Sequence, residues 1–225
     1  MHRHKIAVMA TGGMDSTTLI YMVAGWDPQI ITVDYGQTVF HIQQELLTYH
    51  IDKLGLPPLA VIPIQFPTWQ RQPGLFTPEF TPTEVSPLED WDKLRYENFF
   101  IEGRNLIMVG YALAYCSANK IDELLTGYLY HETEWEKLRS YKLMTGDNSP
   151  HFVDTMNLIS RFGFSHQVRL RAPFYEQRLS KMDVAFTGQE LGVEFDQTYS
   201  CYFEPVCGKC DNCLLRKEIM EALNG

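Results

Sequence analysis

Two short apolar runs decide most of what this chain can become. Residues 5–10, Lys-Ile-Ala-Val-Met-Ala, and residues 30–34, Ile-Ile-Thr-Val-Asp, each read as a buried strand that ends at a polar loop. Between them, Ser16 to Ala24 carries apolar residues at helical spacing. Strand, loop, helix and strand in that order predict a parallel sheet covered by helices. The first strand runs into Thr11-Gly12-Gly13, followed by Asp15 and the hydroxyls of Ser16, Thr17 and Thr18. A strand that stops on two glycines with a carboxylate just behind them has to be explained.

The same alternation continues downstream. Residues 39–54 predict a second helix, ended by Gly55 and Pro57-Pro58. Val61-Ile-Pro-Ile predicts a third strand, at an edge because proline cannot donate to a ladder. Asn105 to Ala118 predicts a helix with Leu106, Val109, Leu113 and Ala114 on its apolar face, and Ile121 to Gly127 a further strand that ends on glycine. Residues 131–165 mix helix and loop, and Lys181 to Leu191 is again helical. Between residues 63 and 90, six prolines break any regular element, which predicts a long loop serving as a lid or a subunit contact.

Composition bounds the function. With 225 residues, 45% of them hydrophobic, the chain can bury a sizeable core, and its length predicts one large domain with a small appendage. Residues 1–199 are expected to form the main domain and residues 200–225 the appendage. The net charge of -9 and the lack of a lysine–arginine cluster argue against nucleic acid as the main partner. No apolar run of about 18 residues suggests a membrane span. Met1-His-Arg-His-Lys leads straight into a strand without a cleavage signature, so a cytoplasmic protein is expected.

Four of the five cysteines crowd near the C-terminus: Cys201, Cys207, Cys210 and Cys213. In a cytoplasmic chain this spacing reads as a metal site rather than as disulfides. The last three wrap one ion and Cys201 closes a tetrahedron. Such a thiolate set prefers zinc at ~2.3 Å and leaves no position for water, so the site is structural. An iron–sulfur cluster and four unrelated buried thiols are the other readings. Cys116 falls within an apolar helix and reads as core.

Two glycines between a strand and a helix let backbone N–H groups approach an anion, and the helix N-terminus adds a favourable field. No lysine follows as in a P-loop. The bland alternative is an ordinary strand–helix turn with Asp15 as its N-cap. The spacing Thr11-Gly-Gly-Met-Asp-Ser16 resembles the pyrophosphate loop of the N-type ATP pyrophosphatases, whose adenine nucleotide α-hydrolase-like fold is a doubly wound α/β parallel sheet. Those enzymes cleave ATP between its α and β phosphates and adenylate an oxygen that a nucleophile then displaces.

Four further stretches narrow the resemblance. Val33-Asp-Tyr-Gly-Gln37, Glu102-Gly-Arg-Asn-Leu106, Leu179-Ser-Lys-Met-Asp183 and Thr198-Tyr-Ser-Cys-Tyr202, the last leading into the cysteines, occur in the order found in the 7-cyano-7-deazaguanine synthase family. The resemblance implies a cytoplasmic, commonly homodimeric carbon–nitrogen ligase with a small zinc-bearing segment. It would use magnesium ATP and ammonia to turn a 7-deazaguanine carboxylate into an amide and then a nitrile, releasing AMP. It further implies that Asp15, Arg104 and Lys181 act in catalysis. Ala10, Thr11, Gly12, Gly13, Asp15, Ser16, Thr17, Asp34, Gln37, Asn105 and Gly127 would surround ATP. In such a site Asp15 ligates magnesium or fixes the loop. Each also has a plainer reading: Asp34 as a strand-end turn acid, Arg104 as a surface ion pair, Lys181 as a solvated residue of a first helical turn.

The acceptor half departs from the family. After Gly127 the chain reads Tyr128-Leu-Tyr-His-Glu-Thr-Glu-Trp135, and the later Asp147-Asn-Ser-Pro150 keeps only part of the usual pattern. A purine-like ring needs aromatic faces and a hydrogen-bonding acid, for which Phe99, Tyr128, Tyr130, Trp135 and Asp147 are candidates. Three other functions stay open: the same adenylation with another amine, such as a protein amino group in a defence pathway; a tRNA-modifying relative; and a non-catalytic zinc-stabilised binding module.

Overall fold

The computed structural model describes residues 4–67, 101–129 and 149–224. Among them, β1 (Ile6–Met9), β2 (Gln29–Asp34), β3 (Ala60–Pro63), β4 (Glu123–Thr126) and β5 (Arg169–Arg171) form one all-parallel sheet in the order β3-β2-β1-β4-β5. The helices are α1 (Met14–Val23), α2 (Phe40–Leu54), α3 (Arg104–Ala118), α4 (Pro150–Gly163), α5 (Pro173–Glu176), α6 (Lys181–Glu190) and α7 (Asp211–Asn224).

Side chains alternate across the strands, and both faces are apolar. Ile6, Val8, Ile30 and Leu125 meet Leu19 and Ile20 of α1, Leu47 and Ile51 of α2, and Val184 of α6. Ala7, Ile31, Val33 and Leu124 meet Val109, Ala112 and Leu113 of α3 and Met156 of α4. A parallel sheet with two apolar faces has to be covered twice. The chain winds outward from β1 to β3, then returns to the other side of β1 with β4. Right-handed crossovers require the helices to change faces at that reversal. The doubly wound sheet, with Pro63 on the edge strand β3, agrees with the reading of the sequence.

Local chemistry sets the ends of these elements. Gly55 closes α2 at φ 65°, a left-handed conformation that favours glycine. The Ser149 side chain accepts from the Phe152 N–H and Pro150 opens α4, while Ser180 and Asp183 form a reciprocal capping box on α6. The structure adds β5 and α7, which the sequence pattern did not reveal. On β5, Arg-Leu-Arg offers only Leu170 to the core. Its outer edge is satisfied by side chains of α4: Asn157 bonds both Leu170 N–H at 2.7 Å and Leu170 C=O at 3.0 Å. The long loop expected between residues 63 and 90 lies mostly outside the described residues.

Helices α1 and α6 touch at Gly188, where an added Cβ would come within 2.4 Å of Thr18 Oγ1 and 2.6 Å of the Phe195 ring. Gly110, inside α3, has nothing within 4 Å of such a Cβ. Gly188→Ala should therefore lower stability by about 1–3 kcal/mol through overpacking, against a propensity gain of at most ~1 kcal/mol. Gly110→Ala should raise it by about 0.5–1 kcal/mol. Urea unfolding of both variants checks this; equal effects would refute the close-contact account.

His50 ties α2 to the chain beyond α6. Its Nδ1 lies 3.0 Å from Tyr21 Oη and its Nε2 2.8 Å from the Gln197 carbonyl. A carbonyl only accepts, so Nε2 carries the proton and Nδ1 accepts from Tyr21. Burial pushes the His50 pKa below its ordinary 6.5, only partly opposed by the Gln197 bond. The unfolded chain thus takes up a proton near pH 6.5 that folded His50 resists, so stability is lost as pH falls below 6.5 toward the folded value. The urea midpoint should drop between about pH 7.5 and about pH 5.5, and His50→Gln should drop less over that interval.

Candidate active site and cysteine centre

The glycine loop is held by its own backbone and by Ser16. Ala10 donates to the Ile31 carbonyl at 2.9 Å, carrying the chain one residue past β1. Gly12 sits at φ +73°, and a Cβ there would be 3.2 Å from the Gln43 carbonyl oxygen of α2. Conformation and space both exclude a side chain. The Thr11 N–H donates to Ser16 Oγ at 3.3 Å, and Ser16 Oγ donates to the Gly13 carbonyl at 3.1 Å, closing the loop over the first turn of α1.

Asp15 is not the N-cap. That position belongs to Gly13, which is extended at φ -81° and ψ 164°, and Asp15 lies in the first helical turn. Its carboxylate meets Lys181 Nζ at 2.5 Å, both side chains being about three-quarters buried (24% and 25% exposed). Lys181 is the first residue of α6, so the ion pair joins the N-termini of α1 and α6 across the sheet end. A carboxylate beside the glycine loop is thus neutralised by a cation from a distant part of the sequence.

A cleft of about 260 Å³ opens at this point. It lies beyond the carboxyl ends of the strands, on the side where the order reverses between β1 and β4, where ligands of open parallel sheets bind. Of the sequence candidates, Thr11, Gly13, Asp15, Gln37, Arg104, Asn105, Lys181 and Cys201 face it. Ala10 and Thr17 are buried behind the loop, Gly12 turns toward α2, and the Ser16 hydroxyl is engaged within the loop. Asp34 Oδ1 accepts from the Gly36 N–H at 2.9 Å and shapes the turn after β2. Gln37 holds the same turn, donating to the Val33 carbonyl at 3.2 Å and to Gln43 Oε1 at 3.0 Å. Gly127 lies beneath α1, where a Cβ would meet Ser16 N at 3.4 Å. Tyr128 packs edge-on against Phe152 at 6.4 Å. Phe99, Tyr130, Trp135 and Asp147 lie outside the described residues.

The sequence reading missed one wall of this cleft. Tyr199 and Tyr202 flank Cys201, and Asn212, Leu215 and Arg216 come from α7. Positions 212, 215 and 216 share one helical face, a spacing visible in the sequence had the cysteine segment been read as a helix.

The four cysteines themselves converge: Cys201, Cys207, Cys210 and Cys213 place all their sulfurs within 4.8 Å of one another. The separations are 3.5 Å for Cys201–Cys207, 4.0 Å for Cys207–Cys213 and 4.0 Å for Cys201–Cys210. A regular tetrahedron with ~2.3 Å metal–sulfur bonds has edges of about 3.8 Å, so the set fits one ion. A disulfide needs about 2.05 Å. Cys201 Sγ receives the N–H groups of Phe203 and Cys207, each at 3.4 Å, and Cys207 Sγ that of Cys210 at 3.4 Å. The Cys210 S–H and these backbone donors bring the Cys201 thiol down to about 5, whereas burial pushes Cys213 up to about 11. Four thiolates this close need a shared cation, and an all-sulfur tetrahedral set suits zinc. Cys116, by contrast, is fully buried in α3, and burial pushes its thiol up to about 12, as befits a core residue.

Comparison with known proteins gives one consistent set of matches. The family described as queuosine biosynthesis protein QueC matches residues 5–224. A protein of Leptospira interrogans named 7-cyano-7-deazaguanine synthase is 29% identical, the alignment covering 96% of this chain and 86% of the relative. Proteins of the same name from Aquifex aeolicus, at 28% over 99% of this chain and 100% of the relative, and Halobacterium salinarum, at 26% over 99% and 93%, are similar too. Among the described residues no helix is long and apolar enough to cross a membrane.

The centre makes a direct prediction. The purified protein should carry about one zinc per chain, and Cys210→Ser should lose most of it together with part of the helical circular dichroism signal from α7. Elemental analysis alongside circular dichroism checks this, and iron in place of zinc would contradict the assignment.

Proposed function

The chain belongs to the family described as queuosine biosynthesis protein QueC, and from that premise we propose that it is an ATP-dependent ligase that amidates a 7-deazaguanine carboxylate. The observation that carries this reading is convergence. The glycine loop, Arg104 with Asn105, and Lys181 come from separate stretches of sequence and face one cleft. Relatives named 7-cyano-7-deazaguanine synthase support the substrate class.

In this mechanism a carboxylate oxygen attacks the α-phosphorus of ATP, and the bond to the departing pyrophosphate breaks. Ammonia then attacks the acyl carbon and loses a proton as AMP leaves, giving the amide. Activation of the amide oxygen by a second ATP, with loss of AMP and of both amide protons, gives the nitrile. The backbone N–H groups of the loop and of α1 face the phosphates. Arg104 and Lys181 balance negative charge as pyrophosphate departs. Before ATP arrives, Asp15 keeps Lys181 neutralised and in place; the triphosphate competes for the ammonium and frees the carboxylate. Magnesium bound with ATP would supply further charge neutralisation, and Asp15 would be the carboxylate to hold it.

Incubation with 7-carboxy-7-deazaguanine, magnesium ATP and ammonia should yield AMP, pyrophosphate and the amide or nitrile by mass spectrometry. Asp15→Ala and Lys181→Met should each lower kcat/KM by about 10²–10³-fold. No AMP from the zinc-loaded protein would overturn the reading. Turnover only with a bulkier amine would move it to another acceptor, because an N-substituted amide cannot dehydrate to a nitrile.

A further inference from the structure

Arg216 links two parts of the molecule that the catalytic reading treats separately. Cys210 and Cys213 bracket the first turn of α7, and Arg216 follows Cys213 by three residues, on the same side of the helix. Whatever fixes the cysteines therefore fixes the origin of the Arg216 side chain. The guanidinium hydrogen-bonds to two uncharged oxygens, with the Asp196 carboxylate close enough to act on it electrostatically. Its Nη1 donates to Thr198 Oγ1 at 2.7 Å, and its Nη2 donates to the Phe195 carbonyl. Thr198 Oγ1 also donates to the Phe195 carbonyl at 2.7 Å, so all three groups lock one turn of chain. The next residue completes the path: the Tyr199 N–H donates to the Gly12 carbonyl at 2.8 Å. Gly12 is the loop residue at positive φ, whose carbonyl direction sets how the following N–H groups face the cleft.

We propose that Arg216 is a positioning residue that makes the shape of the glycine loop depend on the four-cysteine centre. The path runs from the cysteines through α7 to Arg216, on to Thr198 and Tyr199, and ends at Gly12. After the helical turn from Cys213 to Arg216, each step is a covalent neighbour or a hydrogen bond. A bound ion would hold the first turn of α7 and, through this path, the loop. Arg216→Lys keeps the charge but cannot present two donors in a fork, so it should restore only part of the effect. Thr198→Val removes the hydroxyl while keeping the side-chain shape.

The test is backbone hydrogen exchange, read by mass spectrometry on full-length protein of measured zinc content. In zinc-loaded Arg216→Met and Thr198→Val, amides of residues 11–17 should exchange about tenfold faster than in wild type, with those of β2 unchanged. Arg216→Lys should fall between. Stripping zinc from the wild type with a chelator should speed exchange of the same residues, and stripping it from Arg216→Met should add less, because only the short stretch from Cys201 to Tyr199 then joins the centre to the loop. Unchanged loop exchange in both zinc-loaded variants, or an equal effect of zinc removal with and without Arg216, would overturn the proposal. A second arm, weaker binding of a non-hydrolysable ATP analogue by the variants, rests on the proposed function. Absence of binding by wild type would count against that function and leave the exchange result to judge the coupling.

Discussion

A parallel sheet that is apolar on both faces can be buried only by helices on both sides, and the rest of the molecule depends on that constraint. Because right-handed crossovers leave β1 in opposite directions toward β2 and β4, no helix among the described residues covers the carboxyl ends of β1 and β4. The loop after β1 must turn into α1 at that gap, which puts Thr11 and Gly13 on the wall of the cleft. The cleft is therefore a consequence of the winding. What distinguishes this chain is the set of side chains that the surrounding elements bring to the gap.

Charge organises that set. The chain carries a net charge of -9, yet Arg104 and Lys181 both face the cleft beside the dipole ends of helices. A cation at the first position of a helix is locally unfavourable, and at Lys181 it is offset by Asp15 at 2.5 Å and by Asp183 of the capping box in the same turn. The acid in the glycine loop, out of place in a simple phosphate cradle, is what allows a lysine to wait there without an anion. Phosphate binding would replace one anionic partner of Lys181 with another, so the site need not strand a half-buried charge in either state.

Legibility in the sequence followed how local each signal was. Strand β1, helix α1 and strand β2 could be read because their periodicities are intact over four, ten and six residues. Pro63 marked the edge strand because its missing donor is a property of one residue. Strand β5 could not be read, since Arg169 and Arg171 hide the single core residue Leu170. Its pairing is secured from outside by Asn157 of α4 and by ion pairs of Arg171 with Glu123 and Glu176. At the site, the glycine loop, Arg104 and Lys181 were legible as motifs, but the contact between Asp15 and Lys181, 166 residues apart, was not. Helix α7 was obscured because ligand spacing drew the eye to the cysteines and away from the helical face carrying Asn212, Leu215 and Arg216.

That hidden helix explains why a four-cysteine centre stands beside the cleft. Between Ser200 and the first turn of α7 the chain buries a small apolar cluster, with Phe203 and the cysteines against Phe66 and Ile101. So little area would not hold a helix end to within the fraction of an ångström that positioning demands. At its far end α7 is anchored differently, by Ile219 in a cluster with Met14, Ala185 and Phe195. At the end near the cleft, where Cys210 and Cys213 sit, the apolar packing is the small cluster of the cysteines and Phe203 against Phe66 and Ile101. Bonds to one ion would add there the rigidity that apolar packing supplies at Ile219. An ion held there would therefore serve the wall of the cleft even though, in a closed four-sulfur centre, it would offer no coordination position to a substrate.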